Sequence, residues 1–245
     1  MASIVDERGF NQGFKLTFAQ RVRLRRRAEA IVHELRLPAN RSDLGQVHVL
    51  ELGCGTGELA AELAQLTNAA VTGVDLSPQF IAKAAAAHRI RGLQFMVADL
   101  TKPPPELERR RYDYIVGNGI LHHLFHQLGP ALTMAKEWLR PGGKIVFWEP
   151  NIANPYVYLI FSYPSLRKLA RLEPDEMAFS GRYIKALLQR VGYHNVRVDP
   201  RDFLLPNIPA PLVGTVAKIG DVVERFPVVR LAAQSLFIRA EANPF

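Results

Sequence analysis

The chain has 245 residues, of which 48% are hydrophobic and 22% charged, with a formal net charge of +8. That length suits one α/β domain with additions, and the composition excludes a disordered or collagen-like chain. Cys54 is the single cysteine, which excludes an internal disulfide and an all-cysteine metal site, and no run of about eighteen apolar residues is present to span a bilayer.

The first residues lack the basic-then-apolar order of a secretory leader, so the expectation is a cytoplasmic protein, with peripheral contact at the inner membrane face kept open. Much of the positive excess lies in Arg21, Arg23, Arg25, Arg26 and Arg27 and in Arg109, Arg110 and Arg111. Such runs invite a nucleic-acid or anionic-membrane partner, and the plainer reading is two solvated surfaces, preferred here for the second cluster.

In chain order, apolar residues recur at helical spacing from about Phe14 to Leu37, with the first arginine cluster between them. Pro38, Asn40, Ser42, Asp43 and Gly45 then break the pattern, and the main domain is expected to begin near Gln46. Strands and helices alternate from there: a strand at Val47–Leu52, a helix at Gly57–Leu66, a strand at Val71–Val74 closed by Asp75. A helix follows that has Ser77 as its N-cap, Pro78 in its first turn and the Ala-rich run to Ala87. A third strand is expected at Leu93–Ala98 and a fourth at Tyr112–Gly117, after the rigid connector Pro103-Pro104-Pro105. Pro130–Leu139 reads as a helix stopped by Arg140-Pro141-Gly142-Gly143, before a fifth strand at Lys144–Trp148.

Repeated β-α units with strands bare of charge predict a Rossmann-like α/β fold: a seven-stranded, mostly parallel sheet with helices on both faces. Right-handed crossovers place the first three strands in reverse order, with the fourth and fifth on the other side of the first. The switch point then falls at the glycine-dense turn Gly53-Cys54-Gly55-Thr56-Gly57, where ligands of open α/β sheets bind. After Pro150 the character changes. The expected division is an N-terminal helical lid at 1–45, a ligand-binding core at 46–150 and a cap at 151–180. A C-terminal half of the sheet at 181–245 carries an apolar insertion at about 203–229 and a helix near Leu212–Glu224.

The turn is G-x-G-x-G. A dinucleotide fingerprint would want a third glycine where Glu58 stands, and a P-loop would need Gly-Lys-Ser/Thr after Gly57. Both are weak matches. Together, Glu51-Leu52-Gly53-Cys54-Gly55-Thr56-Gly57, Val74-Asp75-Leu76-Ser77, Ala98-Asp99-Leu100, the segment Tyr112–Leu124 and Leu139-Arg140-Pro141-Gly142-Gly143 resemble the class I S-adenosylmethionine-dependent methyltransferases over roughly Gln46–Pro150. Leu121-His122-His123 after the fourth strand and Glu149-Pro150-Asn151 after the fifth resemble that family's small-molecule or lipid-directed branch.

The resemblance implies S-adenosylmethionine as cofactor and S-adenosylhomocysteine as product. It implies a cofactor site of Glu51, Gly53, Cys54, Gly55, Gly57, Asp75, Leu76, Ala98, Asp99, Leu100, Asn118 and Ile120. In it the glycines admit the methionine part, Asp75 accepts from the ribose hydroxyls and Asp99 from the adenine amino group, with Leu76 and Ile120 flanking the ring. Plain structural roles stand beside these: strand-end cap or turn residue for Asp75 and Asp99, loop cap for Asn118, core for Leu76 and Ile120.

A hydroxyl acceptor must lose a proton, which calls for a base titrating near neutrality. His122 and His123 are the candidates, with His122 ahead, and Glu149 is a second candidate base or substrate anchor. No His/Asp/Glu spacing indicates a metal site. Tyr156, Tyr158, Phe161 and Tyr163 in the cap favour a hydrophobic or aromatic small-molecule or lipid-like acceptor, and with Arg167, Lys168 and Arg171 they also suit an interfacial helix. Two alternatives stand behind this reading, a nucleic-acid methyltransferase and a non-catalytic S-adenosylmethionine-binding module, the latter last because no motif looks eroded. Nucleic acid is disfavoured as acceptor. Base-amino methyltransferases carry Asn/Asp-Pro-Pro-aromatic at the fourth strand, where this chain has Asn118-Gly119-Ile120-Leu121, and Cys54 is far from the cysteine position of the cytosine-C5 type.

Overall fold

A computed structural model describes residues 16–37, 47–170 and 172–243. The expected helix start at Phe14, the break at Pro38–Gly45, the domain start at Gln46 and Arg171 lie outside the described residues. Helix α1 (Phe18–Leu35) opens on a capping box, in which the Thr17 hydroxyl accepts from Gln20 N–H and the Gln20 side chain accepts from Thr17 N–H. Then follow β1 (His48–Leu52), α2 (Glu58–Thr67), β2 (Ala70–Asp75), α3 (Pro78–Ala87), β3 (Leu93–Val97), α4 (Pro105–Glu108) and β4 (Tyr112–Asn118). The chain continues through α5 (Leu128–Trp138), β5 (Leu139–Pro150), α6 (Pro155–Ser162), α7 (Pro164–Leu169) and α8 (Gly181–Val191). It closes with β6 (His194–Arg201), α9 (Ala210–Val223), α10 (Pro227–Arg230) and β7 (Ser235–Glu241).

The sheet order is β3-β2-β1-β4-β5-β7-β6. The strands from β3 to β5 run parallel, and β7 lies antiparallel to both β5 and β6. Buried residues cover both faces, as the bare strands require. One face packs on α5 and α8 through Leu128, Leu132, Ile184 and Leu188. The other packs on α1 and α2 through Ala28, Ile31, Leu59 and Leu63. Register does the rest: Leu52 pairs with Val74 and Gly117, so Gly53, Asp75 and Asn118 emerge side by side at one sheet edge.

Some boundaries differ from expectation. Strand β5 begins at Leu139, because that residue pairs with Tyr112 and the register then shifts, so Arg140–Gly143 lies inside an irregular strand start. Arg140 binds the Asp113 carboxylate at 2.8 Å, and Asp113 also accepts His48 N–H at 2.7 Å, which ties the starts of β1, β4 and β5. The cap segment forms two short helices, each started by a proline.

The first arginine cluster is not a free solvated surface. Arg25 bonds Glu29 and Glu62, Arg26 pairs with Asp221, and Arg23 and Arg27 converge on Asp202. Arg27 is buried, 5.1 Å from the Trp148 ring centroid, and donates to Ser235 Oγ at 2.6 Å. Burial pulls its pKa down to about 10. These residues bind α1 to α2, to the stretch between β6 and α9, and to α9 itself, and Ala19 of α1 shares a small apolar cluster with Leu204 and Val213. Arg109, Arg110 and Arg111 stay exposed.

Burial alone would raise the Asp202 carboxyl, but Arg23 and Arg27 outweigh it and hold the group below its ordinary value. Its stabilising contribution is therefore complete above about pH 4 and is lost as pH falls through the lower folded value. Asp202→Asn leaves a buried guanidinium without its counter-charge, and denaturant unfolding at neutral pH is expected to show a loss of about 3–5 kcal/mol. The difference between wild type and variant should shrink on acidification. A loss under about 1 kcal/mol at neutral pH would contradict this role.

Candidate active site

The turn after β1 is built for close approach. Gly53, Gly55 and Gly57 all have positive φ, at 65°, 53° and 86°. A Cβ on Gly53 would lie 2.6 Å from Ile120 Cδ1, and one on Gly57 would lie 2.6 Å from the Phe95 ring. A Cβ on Gly55 would meet nothing within 4 Å. Two glycines are thus required by the protein's own packing, whereas the middle one faces open space.

Asp75 holds this turn. Its Oδ2 accepts Gly55 N–H and its Oδ1 accepts Ser77 N–H, both at 2.9 Å. Burial raises its pKa, against these backbone donors. Beneath the turn Glu51 is buried, with Oε2 lacking any hydrogen-bond partner. Burial, then the charges of Glu58 and Asp75, push its pKa well up. A buried, orphaned carboxylate oxygen beside a glycine cradle is what a cationic ligand would satisfy, so these residues fit a sulfonium amino-acid cofactor with its α-ammonium group. Cys54 is buried, and burial drives its thiol far above the range in which a thiolate forms near neutrality.

Beyond β2, Leu76 projects into solvent at 43% exposure. Ala98 is buried and donates its N–H to Asp75 O at 2.9 Å. Asp99 Oδ1 accepts from Thr101 N–H and hydroxyl at 2.8 and 2.7 Å. Burial pushes its carboxyl up, but Thr101 and Lys102 outweigh this and hold it low. The turn role therefore coexists with any ligand role for this residue. Leu100 packs against the core, and Ile120 fills the space over Gly53 and Gly117, so the expected flanking pair divides into one exposed and one packed residue.

The loop after β4 is organised by one carboxylate. Glu149, 1% exposed, accepts Ile120 and Leu121 N–H on Oε1 at 2.9 and 2.7 Å. Its Oε2 accepts His122 N–H at 3.2 Å and faces His122 Nδ1 at 2.8 Å. An ionised carboxylate can only accept, which assigns the proton to Nδ1 and the lone pair to Nε2. Glu149 thus holds both the loop backbone and the His122 ring through its two carboxylate oxygens. His123 is half-exposed, with Nδ1 3.3 Å from Glu176 Oε1, and His126 is exposed and apart. Asn118 Oδ1 accepts from Arg27 Nη1 at 2.5 Å, which links the sheet edge to α1.

The cap brings residues that no local pattern marks. Glu176 is buried, with Oε2 3.9 Å from His122 Nε2. Arg167 donates to the carbonyls of Phe161, Glu173, Pro174 and Glu176 and so shapes the turn presenting that carboxylate. Phe161 is buried and meets the His122 ring edge-on at 6.0 Å. The expected aromatic lining is otherwise corrected, since Tyr156, Tyr158 and Tyr163 are each half exposed and turn outward because the helix buries Val157 and Phe161 instead.

Residues 49–143 match the family described as a methyltransferase domain. The demethylmenaquinone methyltransferase of Chlorobaculum tepidum is 32% identical over 126 residues, which is half of this chain and half of that protein. The malonyl-[acyl-carrier protein] O-methyltransferase of a Paenibacillus species is 29% identical over 178 residues, 64% of this chain and 62% of that one. The chain thus spans only part of these relatives' length. The CurJ carbon methyltransferase structure superposes with a TM-score of 0.63 at 20% identity, over 95% of this chain and 57% of that one. Residues 49–143 thus carry a methyltransferase-domain match, and the fold of the chain is that of the class I S-adenosylmethionine-dependent methyltransferases.

The glycine geometry gives a differential test. Gly57→Ala is expected to lower stability by about 1–3 kcal/mol through the clash with Phe95. Gly55→Ala should cost only the left-handed strain of about 1–2 kcal/mol, yet abolish S-adenosylmethionine binding in calorimetry. Undiminished binding by folded Gly55→Ala would remove this turn from the cofactor site.

Proposed function

We propose that the protein transfers a methyl group from S-adenosylmethionine to a hydroxyl oxygen of an apolar or aromatic small molecule or lipid-like acceptor. The observation that carries this reading is the His122–Glu149 pair, 2.8 Å apart and buried, which leaves Nε2 of the imidazole without a direct hydrogen bond to Glu149 and 3.9 Å from Glu176 Oε2. When bound, the cofactor supplies an electrophilic methyl group on a sulfonium centre. The backbone of Gly53, Gly55 and Gly57 would receive its methionine part, with Cys54 packed below and Glu51 answering the ammonium charge. Asp75 would accept from the ribose; Leu76, Ala98, Asp99, Leu100 and Ile120 would surround the adenine, and Asn118 would border the methionine end.

His122 acts as general base. The acceptor's O–H proton passes to Nε2, the oxygen keeps the bonding pair as the nucleophile, and the imidazolium formed is held by Glu149 through Nδ1–H. Orientation comes from the buried carboxylate, so the base is aligned before the acceptor arrives. His123, in contact with Glu176, stands outside this step. Apolar acceptor character is supported by Phe161 at the base and by the Val157, Phe161 and Ala178 cluster behind it. The relative named as an O-methyltransferase supports oxygen. A nucleic-acid acceptor is less well supported, because Arg23, Arg25, Arg26 and Arg27 are already ion-paired within the protein.

Formation of S-adenosylhomocysteine against a panel of hydroxylated apolar compounds, and against RNA, tests the reading. Asp75→Ala should lose cofactor affinity. His122→Gln and Glu149→Gln should retain it while kcat falls about 10²–10⁴-fold. Turnover with RNA alone, or unchanged kcat in His122→Gln, would refute the assignment.

Peripheral membrane contact is a part of the same proposal. No described helix is long and apolar enough to cross a membrane. Tyr156, Tyr158, Leu159, Tyr163 and Leu169 nevertheless lie exposed on α6 and α7, with Lys168 among them. Flotation with anionic vesicles should be weakened by Tyr158→Glu. Equal recovery of wild type and variant would exclude this face.

A further inference from the structure

The fold gathers three metal-ligating side chains that sequence spacing does not. His122 and His123 are adjacent in the loop after β4, and Glu176 arrives from the cap. One donor atom from each lies within 4.8 Å of the others. His123 Nδ1 is 3.3 Å from Glu176 Oε1, and His122 Nε2 is 3.9 Å from Glu176 Oε2. Two ligands at about 2.0–2.2 Å from one tetrahedral ion are about 3.3–3.5 Å apart. His123 and Glu176 already have that spacing, and the set of three, now within 4.8 Å, closes by side-chain rotation that draws the widest pair in by about 1–1.5 Å. We infer that His122, His123 and Glu176 form a divalent transition-metal site of the zinc type, distinct from the cofactor cradle.

Three features go beyond the presence of ligands. First, His122 offers Nε2 because its Nδ1 is committed to buried Glu149, the carboxylate–histidine arrangement that fixes ring and tautomer in metal sites. Second, Arg167 binds the carbonyls of Glu173, Pro174 and Glu176, so the carboxylate is presented on a braced turn. Third, two imidazoles and one carboxylate leave a fourth position open for water or a ligand oxygen. Imidazole donors favour zinc, cobalt or copper over magnesium or calcium. His123 can offer Nδ1 with its proton carried on the other ring nitrogen.

The consequence rests on the methyl-transfer reading above. A metal on Nε2 takes the lone pair that the acceptor's proton needs, so occupation of this site would silence the base. The site would make the enzyme sensitive to free zinc, and a chelator would restore it.

The test uses the full chain after treatment with chelator, titrated with Zn²⁺ in a calorimeter and with Co²⁺ by visible absorption. One saturable site is expected, with the absorption of a tetrahedral cobalt centre, and Mg²⁺ should not compete. His123→Ala, at a half-exposed position, should lower affinity at least tenfold, as should Glu176→Gln, and Glu149→Gln should weaken it about 10–100-fold through His122. The ratio of turnover with and without Zn²⁺ should fall in wild type and stay near one in His123→Ala. No saturable binding, or binding unaffected in a folded His123→Ala protein, would overturn the inference. Turnover that requires Zn²⁺ would overturn its inhibitory character. S-adenosylmethionine is titrated in parallel. Cofactor binding without zinc binding rejects only the metal site, whereas zinc binding without cofactor binding rejects the methyl-transfer reading instead.

Discussion

A buried carboxylate must be surrounded by donors, and Glu149 shows how far that requirement shapes this protein. It stands just beyond Trp148, which pairs with Asn118 at the end of the neighbouring strand. The backbone leaving β4 therefore has to curl over it, delivering the N–H groups of Ile120, Leu121 and His122. Leaving such a group unsatisfied would cost several kcal/mol, so the curl is strongly determined. The imidazole of His122 follows from the same constraint, because Nδ1 is the remaining donor within reach. Loop shape, ring orientation and tautomer thus share one cause.

The turn after β1 repeats the principle with Asp75. A carboxylate at the end of one strand accepts backbone N–H from the loop of its neighbour, here Gly55, and fixes it. In both places a strand-end acid organises the adjacent loop at the sheet edge where β1 and β4 diverge. Arg27 extends the arrangement outward, since it joins Asn118 at that edge to Asp202 and Ser235. The N-terminal helix is consequently part of the site's support. Its buried guanidinium tolerates desolvation through ion pairing, hydrogen bonds and the Trp148 face.

What was readable in advance had a short-range cause. Strands bare of charge, the Ser77-Pro78 helix start and the glycines at Gly53 and Gly57 express local backbone demands, and each element appears near its expected place. Side-chain fates were less readable. Arg23, Arg25, Arg26 and Arg27 look like a solvated run, yet their partners come from as far away as Asp202 and Asp221. Tyr156, Tyr158 and Tyr163 look like a pocket lining, yet which face of α6 turns inward depends on what packs against it, and Val157 and Phe161 were chosen.

By itself the sequence determined the order of the first five strands and the place of the glycine turn at their switch point. Alternation, chain handedness and glycine conformation act within a few residues or through general rules of chain connection. Only the tertiary structure decided which of two adjacent histidines is buried and aligned, that Glu149 orients it, and that Glu176 joins both. Those decisions depend on contacts between residues distant along the chain, such as His122 with Glu176 across the cap, and burial at such contacts is set by packing rather than by spacing.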